Sequence, residues 1–378
     1  MTKQNLTKIL FVLADIKFFF SHRQWLAKDL LNLGVAVHLA CPNADKSEGL
    51  KDIGVVGHHL NISAGGMNPF KDFSSSLQIK SIIKKIDPDI VQGIGLKPSL
   101  PAALACRISG HVKSVSLFTG LGFLFTSEGR KAKYARTALS PFFKFLFLNE
   151  NSTCIFQNPD DFQEFMSRGF VKRDQVCLIE GSGVILSNYP LSPPSNNIKV
   201  KVLMPARLVG DKGVREYINA ARLVKETLPD IIFQIAGDRD PKNPSCISEE
   251  EIEEAKDIIE FLGYQENMAP LYQNADIVCL PSYREGLPRA LLEAAATGRP
   301  LISTDVPGCR QIAIHEKNAL VVPAKDSQAL ASALKYMIAN PAMRERFGDE
   351  SRKMVEQKFS MKIINSQMIE VYKQVLES

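Results

Sequence analysis

Along most of the chain a short apolar run is followed by a turn, an amphipathic stretch and another apolar run. This is the pattern of strands alternating with helices around parallel sheets. In the first half, 8–14, 35–41, 89–93, 112–118, 152–158 and 175–181 read as strands, and His58-His59 ends another. The stretches 21–33, 72–86, 98–109, 131–147 and 159–168 read as helices. The segment 189–198, YPLSPPSNNI, interrupts the series: Pro190, Pro193 and Pro194 break regular elements, and Ser and Asn favour loops. A second series follows, with strands 201–207, 230–237, 258–263, 276–282 and 299–305 and helices 213–227 and 288–298. Helices near 326–339, 341–357 and 361–377 end it. The expected fold class is α/β, with two Rossmann-like parallel-sheet domains, 1–190 and 191–378, facing a cleft and a last helix able to pack back on the first. Ligands of open parallel sheets bind beyond the carboxyl ends of the strands.

Composition narrows this picture only slightly. The 378 residues exceed what one core usually holds, and 45% apolar with 23% charged residues is ordinary globular usage. The longest apolar runs, Ile9–Ala14 and Phe142–Leu148, are too short to cross a bilayer. Asp15 and Lys17 follow the first run at once, so a buried strand is expected there and not a signal peptide. The seven cysteines are scattered without a CxxC pair, which points to reduced thiols and a cytoplasmic protein. The net charge of +5 is unevenly spread: residues 1–190 carry 22 Lys/Arg and 15 Asp/Glu, residues 191–378 carry 24 and 26. A basic first half fits either an anionic partner or a merely solvated face. No nucleic-acid partner is expected.

The densest candidate chemistry lies in 280–308, LPSYREGLPRALLEAAATGRPLISTDVPG. A strand ends at Ser282, a tight loop holds Glu285 and Gly286, and Pro288 sits where a helix would begin. Backbone N–H groups of Gly286 and Leu287 are expected to point from that helix N-terminus, where the dipole favours an anion such as a diphosphate. Glu285 and Glu293, eight positions apart, would flank the diphosphate as hydroxyl acceptors. Taken alone, the same spacing also describes a capped amphipathic helix with two solvated glutamates. A second segment, PARLVGDKGVREYI at 205–218, puts Arg207 at a strand end and Lys212 at the next helix start, a rigid fork and a mobile point charge suited to a leaving diphosphate. Asp87-Pro-Asp89 and Asp238-Arg-Asp240 match a DxD metal motif, but the first sits at a helix-to-strand turn and the second follows a strand of the second domain, and no metal or cofactor is expected. Phe18-Phe19-Phe20 fits lipid contact and internal packing equally.

The strand–PARL–x3–KG–helix, PS-x2-EGLP-x4-LE and GRP-LIST-DV-PG segments resemble the retaining glycosyltransferases of family four, with the GT-B fold. The resemblance spans the chain. It implies a metal-independent hexosyltransferase in which Arg207 and Lys212 bind the donor diphosphate, Glu285 the transferred sugar and Glu293 the ribose. The first half, through VQGIGLKPS (91–99) and TGLGFLFTSEG (119–129), is most similar to bacterial transferases acting on undecaprenyl-diphosphate-linked sugars in polysaccharide assembly. Two departures stand out: ADIKFFFSHR lacks the Gly-Gly loop common in the family, and Thr119 replaces a frequent histidine. The implied partners are a UDP-linked nucleotide sugar, a lipid-diphosphate saccharide acceptor and an anionic membrane touched peripherally. Arg23, Lys97, Thr119 and Gly120 are the acceptor-side candidates, and Arg130, Lys131, Lys133 and Arg136 the membrane-facing ones. The rival readings are a nucleotide-sugar 2-epimerase and an inactive sugar-nucleotide-binding scaffold. A dehydrogenase is disfavoured because no GxGxxG follows a strand.

Overall fold

A computed structural model describes residues 7–62, 69–121, 125, 129–193 and 199–378, with backbone only at 69, 130–132 and 135. The chain forms two compact units, Met1–Ser182 with Lys362–Ser378, and Gly183–Met361. The first is built on β1 (Lys8–Val12), β2 (Ala36–Cys41), β3 (Val56–His59), β4 (Ile90–Ile94), β5 (Lys113–Phe118), β6 (Ser152–Phe156) and β7 (Val176–Leu178). They form one sheet in the order β3-β2-β1-β4-β5-β6-β7, every pairing parallel. A parallel sheet is covered on both faces, so its strands read as apolar runs and not as alternation. β4 accordingly is buried throughout.

Alternate residues of these strands feed two layers. Ile9, Phe11, Ile90, Val115 and Leu117 face α1 (Ile16–His22), α2 (Gln24–Asn32) and α3 (Glu48–Asp52). On the other side Leu10, Val12, Val91 and Phe118 meet α4 (Pro69–Ile86), α5 (Leu96–Ser109), α6 (Arg130–Phe147) and α7 (Pro159–Ser167). The single helix expected at 21–33 is two. The Asp15 carboxylate accepts from Lys17 N at 2.9 Å, and this cap draws residues 16–22 into helix ahead of a break at Arg23. Phe18-Phe19-Phe20 therefore packs inward: Phe19 is buried and Phe18 stacks on His22 at 4.1 Å.

The second unit carries β8 (Lys201–Pro205), β9 (Ile232–Ala236), β10 (Ile259–Phe261), β11 (Ile277–Leu280), β12 (Leu301–Thr304) and β13 (Ala319–Val322). Their order is β10-β9-β8-β11-β12-β13, again all parallel. Helices α8 (Val214–Lys225), α9 (Glu249–Glu253), α10 (Ala269–Asn274), α11 (Arg289–Ala296), α12 (Ser327–Ala339) and α13 (Pro341–Met354) complete it, and α14 (Met361–Glu377) ends the chain. In both sheets the winding direction reverses beside the first strand, between β1 and β4 and between β8 and β11.

The domain boundary expected at 190/191 falls instead at Ser182/Gly183. Residues after 183 are held by the second unit: Val184 N donates to Phe359 O at 2.9 Å, and Leu186 and Tyr189 pack on its core. The guanidinium of Arg352 donates to Tyr189 O at 3.0 Å, and that of Arg299 to Ser192 O and Pro193 O at 2.8 Å each. Prolines 190 and 193 thus mark an extended strap and not the boundary; 194–198 lie outside the described residues. α14 belongs to the first unit, where Ile364, Met368, Val371 and Tyr372 join the layer under α1 and α2.

Candidate functional site

The site is assembled where the second sheet reverses. The chain leaves β8 through Arg207 and a short turn at Gly210–Lys212 into α8, and leaves β11 through Ser282 and Glu285 into α11. A topological switch point opens a crevice at the strand ends, and both loops border it. Gly213 makes the approach possible: at φ 76° its Cβ would lie 2.1 Å from Pro281 O, so only glycine lets α8 begin against the end of β11. Tyr283 N then donates to Asp211 O at 2.9 Å, tying the loops together.

Lys212 and Glu285 meet in this corner. The Lys212 ammonium pairs with Glu285 Oε1, which also accepts from Ser282 Oγ at 2.8 Å. Glu285 is 13% exposed and Lys212 24%, so the pair is sheltered yet open on one side. Glu285 N donates to Pro307 O at 3.1 Å, and Gly308 at φ 82° lets that backbone lie close; a Cβ there would meet Glu285 O at 2.5 Å. Thr304 Oγ1 donates to Ser282 O at 2.5 Å, fixing the strand end that carries the serine. Cys309 walls the site from behind. Burial pushes its thiol up to about 12, the Glu285 charge adds to this, and the sulfur stays a neutral, unreactive surface.

The other candidates in this unit take different positions. Arg207 is 60% exposed and pairs with Asp240 Oδ2 at 2.5 Å, apart from the Lys212–Glu285 pair. Asp238 Oδ1 accepts from Tyr264 N at 2.9 Å. Both carboxylates of the Asp238-Arg-Asp240 match therefore have protein partners, and no group of three metal-ligating side chains occurs among the described residues. Glu293 is buried inside α11's inner face: Arg289 Nε donates to its Oε1 at 2.6 Å and Tyr272 OH to its Oε2 at 3.2 Å. Burial first, and then the Glu293 charge, raise the Tyr272 and Tyr189 hydroxyls, which stay protonated around that carboxylate. The expectation for Gly286 and Leu287 needs correcting. α11 begins at Arg289 with Pro288 as its cap, so these two residues stand in the loop before the helix and not at its first turn. Proline has fixed φ and no N–H, and the helix starts only after it.

In the first unit Thr119 and Gly120 follow β5, and Lys97 opens α5 just after β4, so all three lie at the carboxyl ends of these two neighbouring strands. Lys97 pairs with Asp72 at 3.8 Å. Arg23 lies instead in the interior between α1 and α2, 1% exposed, where burial pulls its guanidinium down to about 10 with the Tyr372 hydroxyl opposing. Of the basic cluster, Lys133 is exposed and Arg136 half-buried on α6; the side chains of Arg130 and Lys131 are outside the described residues, as are 122–124 and 126–128 of the Thr119–Gly129 segment. Sequence reasoning missed Tyr272, Arg289 and the roles of Ser282 and Asp240. Ser282 stood in view within PSYREG, whereas Tyr272 lies in an unremarkable helix.

Two parallel sheets wound in this order, with a Lys–Glu corner at the reversal of the second, define a glycosyltransferase of GT-B architecture. Residues 8–158 match the family model described as "Glycosyl transferase 4-like", and residues 191–354 match "Glycosyl transferases group 1". The chain is thus a glycosyltransferase whose two halves each match a glycosyltransferase family model. It is 25% identical over 379 aligned positions, 95% of this chain and 96% of the relative, to the N,N'-diacetylbacillosaminyl-diphospho-undecaprenol alpha-1,3-N-acetylgalactosaminyltransferase of Campylobacter jejuni. A second relative, at 24% identity over 79% of each chain, is the Escherichia coli UDP-Gal:alpha-D-GlcNAc-diphosphoundecaprenol alpha-1,3-galactosyltransferase. Among solved structures, a glycosyltransferase from Rickettsia africae superposes with a TM-score of 0.77 at 21% identity, covering 99% of this chain and all of that one. Anabaena Alr3699/HepE in complex with UDP superposes equally well, TM-score 0.77 at 17% identity, over 97% of this chain and all of that one.

Proposed function

We propose that the chain moves a sugar, an N-acetylhexosamine from a UDP donor, onto an undecaprenyl-diphosphate-linked saccharide, retaining the anomeric configuration and needing no metal. The observation that carries this reading is the convergence of Lys212, Glu285 and Ser282 at the switch point of the second sheet. A diphosphate entering there meets the Lys212 ammonium, and Arg207 adds a second cation once it exchanges Asp240 for phosphate oxygens. Glu285, no longer bound to Lys212, accepts hydrogen bonds from the sugar hydroxyls. Glu293 takes the ribose. A carboxylate has about four lone-pair directions, and Arg289 and Tyr272 use only some of them.

In the reaction the bond between the sugar's anomeric carbon and the diphosphate oxygen breaks, and the acceptor hydroxyl forms a new bond on the same face. The departing phosphate oxygen takes the acceptor's proton. Negative charge grows on the diphosphate, and Lys212, Arg207 and the loop N–H groups of Gly286 and Leu287 stabilise it. Lys97, Thr119 and Gly120 receive the acceptor at the carboxyl ends of β4 and β5. Among the described residues no helix is long and apolar enough to cross a membrane. Residence at the inner face of the cytoplasmic membrane therefore rests on peripheral contact, to which Arg130, Lys131, Lys133 and Arg136 contribute.

Incubation with a panel of UDP-sugars and a short polyprenyl-diphosphate saccharide, read by mass spectrometry, tests the reading. Transfer that is undiminished by chelator and lost in Glu285→Gln supports it. Sugar isomerisation without acceptor would instead indicate an epimerase, and donor binding with no turnover an inactive scaffold.

A further inference from the structure

The outward side of the layer α4–α5–α6 carries large apolar side chains exposed at the surface. On α4, Phe70, Phe73 and Leu77 recur at one-turn spacing; on α6, Phe142 and Phe145 lie one turn apart, with Tyr134 two turns before them on the same side. All six are between 37% and 88% exposed. They are not spillover from the core, because the inward faces of the same helices are separately filled, by Ile79 and Ile83 on α4 and by Phe143, Leu146 and Phe147 on α6. Two such stripes on helices of one layer, either side of α5, make an exposed apolar surface of a kind that marks an interaction site.

Charge identifies the partner. The three helices contain eleven Lys/Arg and one acidic residue, Asp72, in a chain whose whole net charge is only +5. Aromatic rings interleaved with Lys and Arg on an amphipathic face suit the boundary between headgroups and acyl chains, with rings below and cations among anionic phosphates. The cation–aromatic combination appears within the patch itself: the Arg107 guanidinium lies 5.1 Å from the Phe145 ring centre. A second copy of the chain fits poorly, since a symmetric contact would set this cationic layer against itself. We propose that the outer side of α4–α6 is the face by which the chain sits on an anionic bilayer, with Phe73, Leu77, Phe142 and Phe145 seated in the interface. The inference deepens the lipid-acceptor reading and rests on it for purpose, but the binding itself can be measured apart from catalysis.

The test is sedimentation of the full chain with vesicles of phosphatidylcholine alone or with one quarter phosphatidylglycerol, beside turnover on a short water-soluble acceptor. Phe73→Ser/Leu77→Ser/Phe142→Ser/Phe145→Ser changes only exposed positions, and circular dichroism checks that it folds. The wild type is expected to bind the anionic vesicles and to keep part of that binding in high salt, which screens charge but not apolar contact. The quadruple variant should lose about tenfold or more in partitioning, as removal of buried apolar groups dictates, with turnover on the soluble acceptor unchanged. Lys80→Gln/Lys84→Gln/Lys133→Gln/Lys144→Gln should lose the salt-sensitive part alone. Equal vesicle binding by wild type and the apolar variant, or no binding by the wild type, overturns the proposal. So does a wild-type dimer that the variant abolishes, which would make the face a contact between copies. Lost vesicle binding in the variant of a chain that transfers no sugar would leave this inference standing and overturn the catalytic one.

Discussion

Glu285 is useful only if its carboxylate is aimed, and Ser282 is the group that aims it independently of ligand. In the proposed mechanism the ammonium of Lys212 leaves for the diphosphate when donor arrives, whereas the serine hydroxyl, 2.8 Å from Glu285 Oε1, stays with the carboxylate. Ser282→Ala should therefore lower kcat by about tenfold to a hundredfold, the range for a hydrogen bond to a charged group of roughly 1.5–3 kcal/mol. UDP affinity should be nearly unchanged. Calorimetric UDP titration beside steady-state rates separates these effects, and an equal loss in both would make Ser282 merely structural. Lys212→Ala should reduce kcat by about 10²–10³, as removal of one donor from a developing anion does, and should weaken UDP binding as well. Glu285 and Lys212 could be read in the sequence because strand ends, glycines and a cation made one pattern. Tyr272 and Arg289, which enclose Glu293, could not: a helical tyrosine carries no signal of what it faces.

The elements owe their placement to a few local decisions that propensity alone does not reveal. The cap by Asp15 shifted the first helix by five residues from where apolar periodicity put it. The strand β13 escaped notice because ALVV, flanked by Asn318 and Pro323, looks like the end of a loop until its pairing with β12 is seen. The alternation of strands and helices, by contrast, was plain, since parallel strands must be apolar on both faces. Gly308→Ala is the sharpest test of the loop after β12. The added Cβ would strike Glu285 O and Gly286 O, at 2.5 and 2.6 Å, in a left-handed conformation. It should lower thermal stability by roughly 1–3 kcal/mol and also turnover, because the displaced atoms carry Glu285. The edge strand β3 and its neighbour β2 give a pH dependence. His38 and His58 share a hydrogen bond at 3.0 Å, and burial first, then His58 and Lys8, hold His38 down at about 4. A neutral folded imidazole means that protons favour the unfolded chain. The first unit should keep its stability above the ordinary value of 6.5 and lose it progressively as pH falls towards 4. Denaturant midpoints across that window should flatten in His38→Gln; an unchanged slope would remove His38 as the cause.

For the molecule as a whole, Gly183–Met361 is an insertion within the first unit, which is incomplete until α14 joins it. Bringing the ends of a flexible loop of about 180 residues together costs roughly 5 kcal/mol in chain entropy. The second unit lifts that burden by itself: Val184 N donates to Phe359 O and Met361 N to Val184 O, each at 2.9 Å, so its folding delivers the two crossing points side by side. The consequence is an order of events in which a later stretch of chain serves as the clasp for an earlier one. Trp25 on α2 is the chain's single tryptophan, four residues from Asp29, whose carboxylate accepts from Asn365 of α14 at 2.6 Å. Its fluorescence should reach the native value last on dilution from urea, after the second unit has formed. Val184→Pro, which removes the clasp's N–H, should slow that final phase while leaving earlier ones alone. A tryptophan signal complete before the second unit folds would mean that the first closes its long loop unaided.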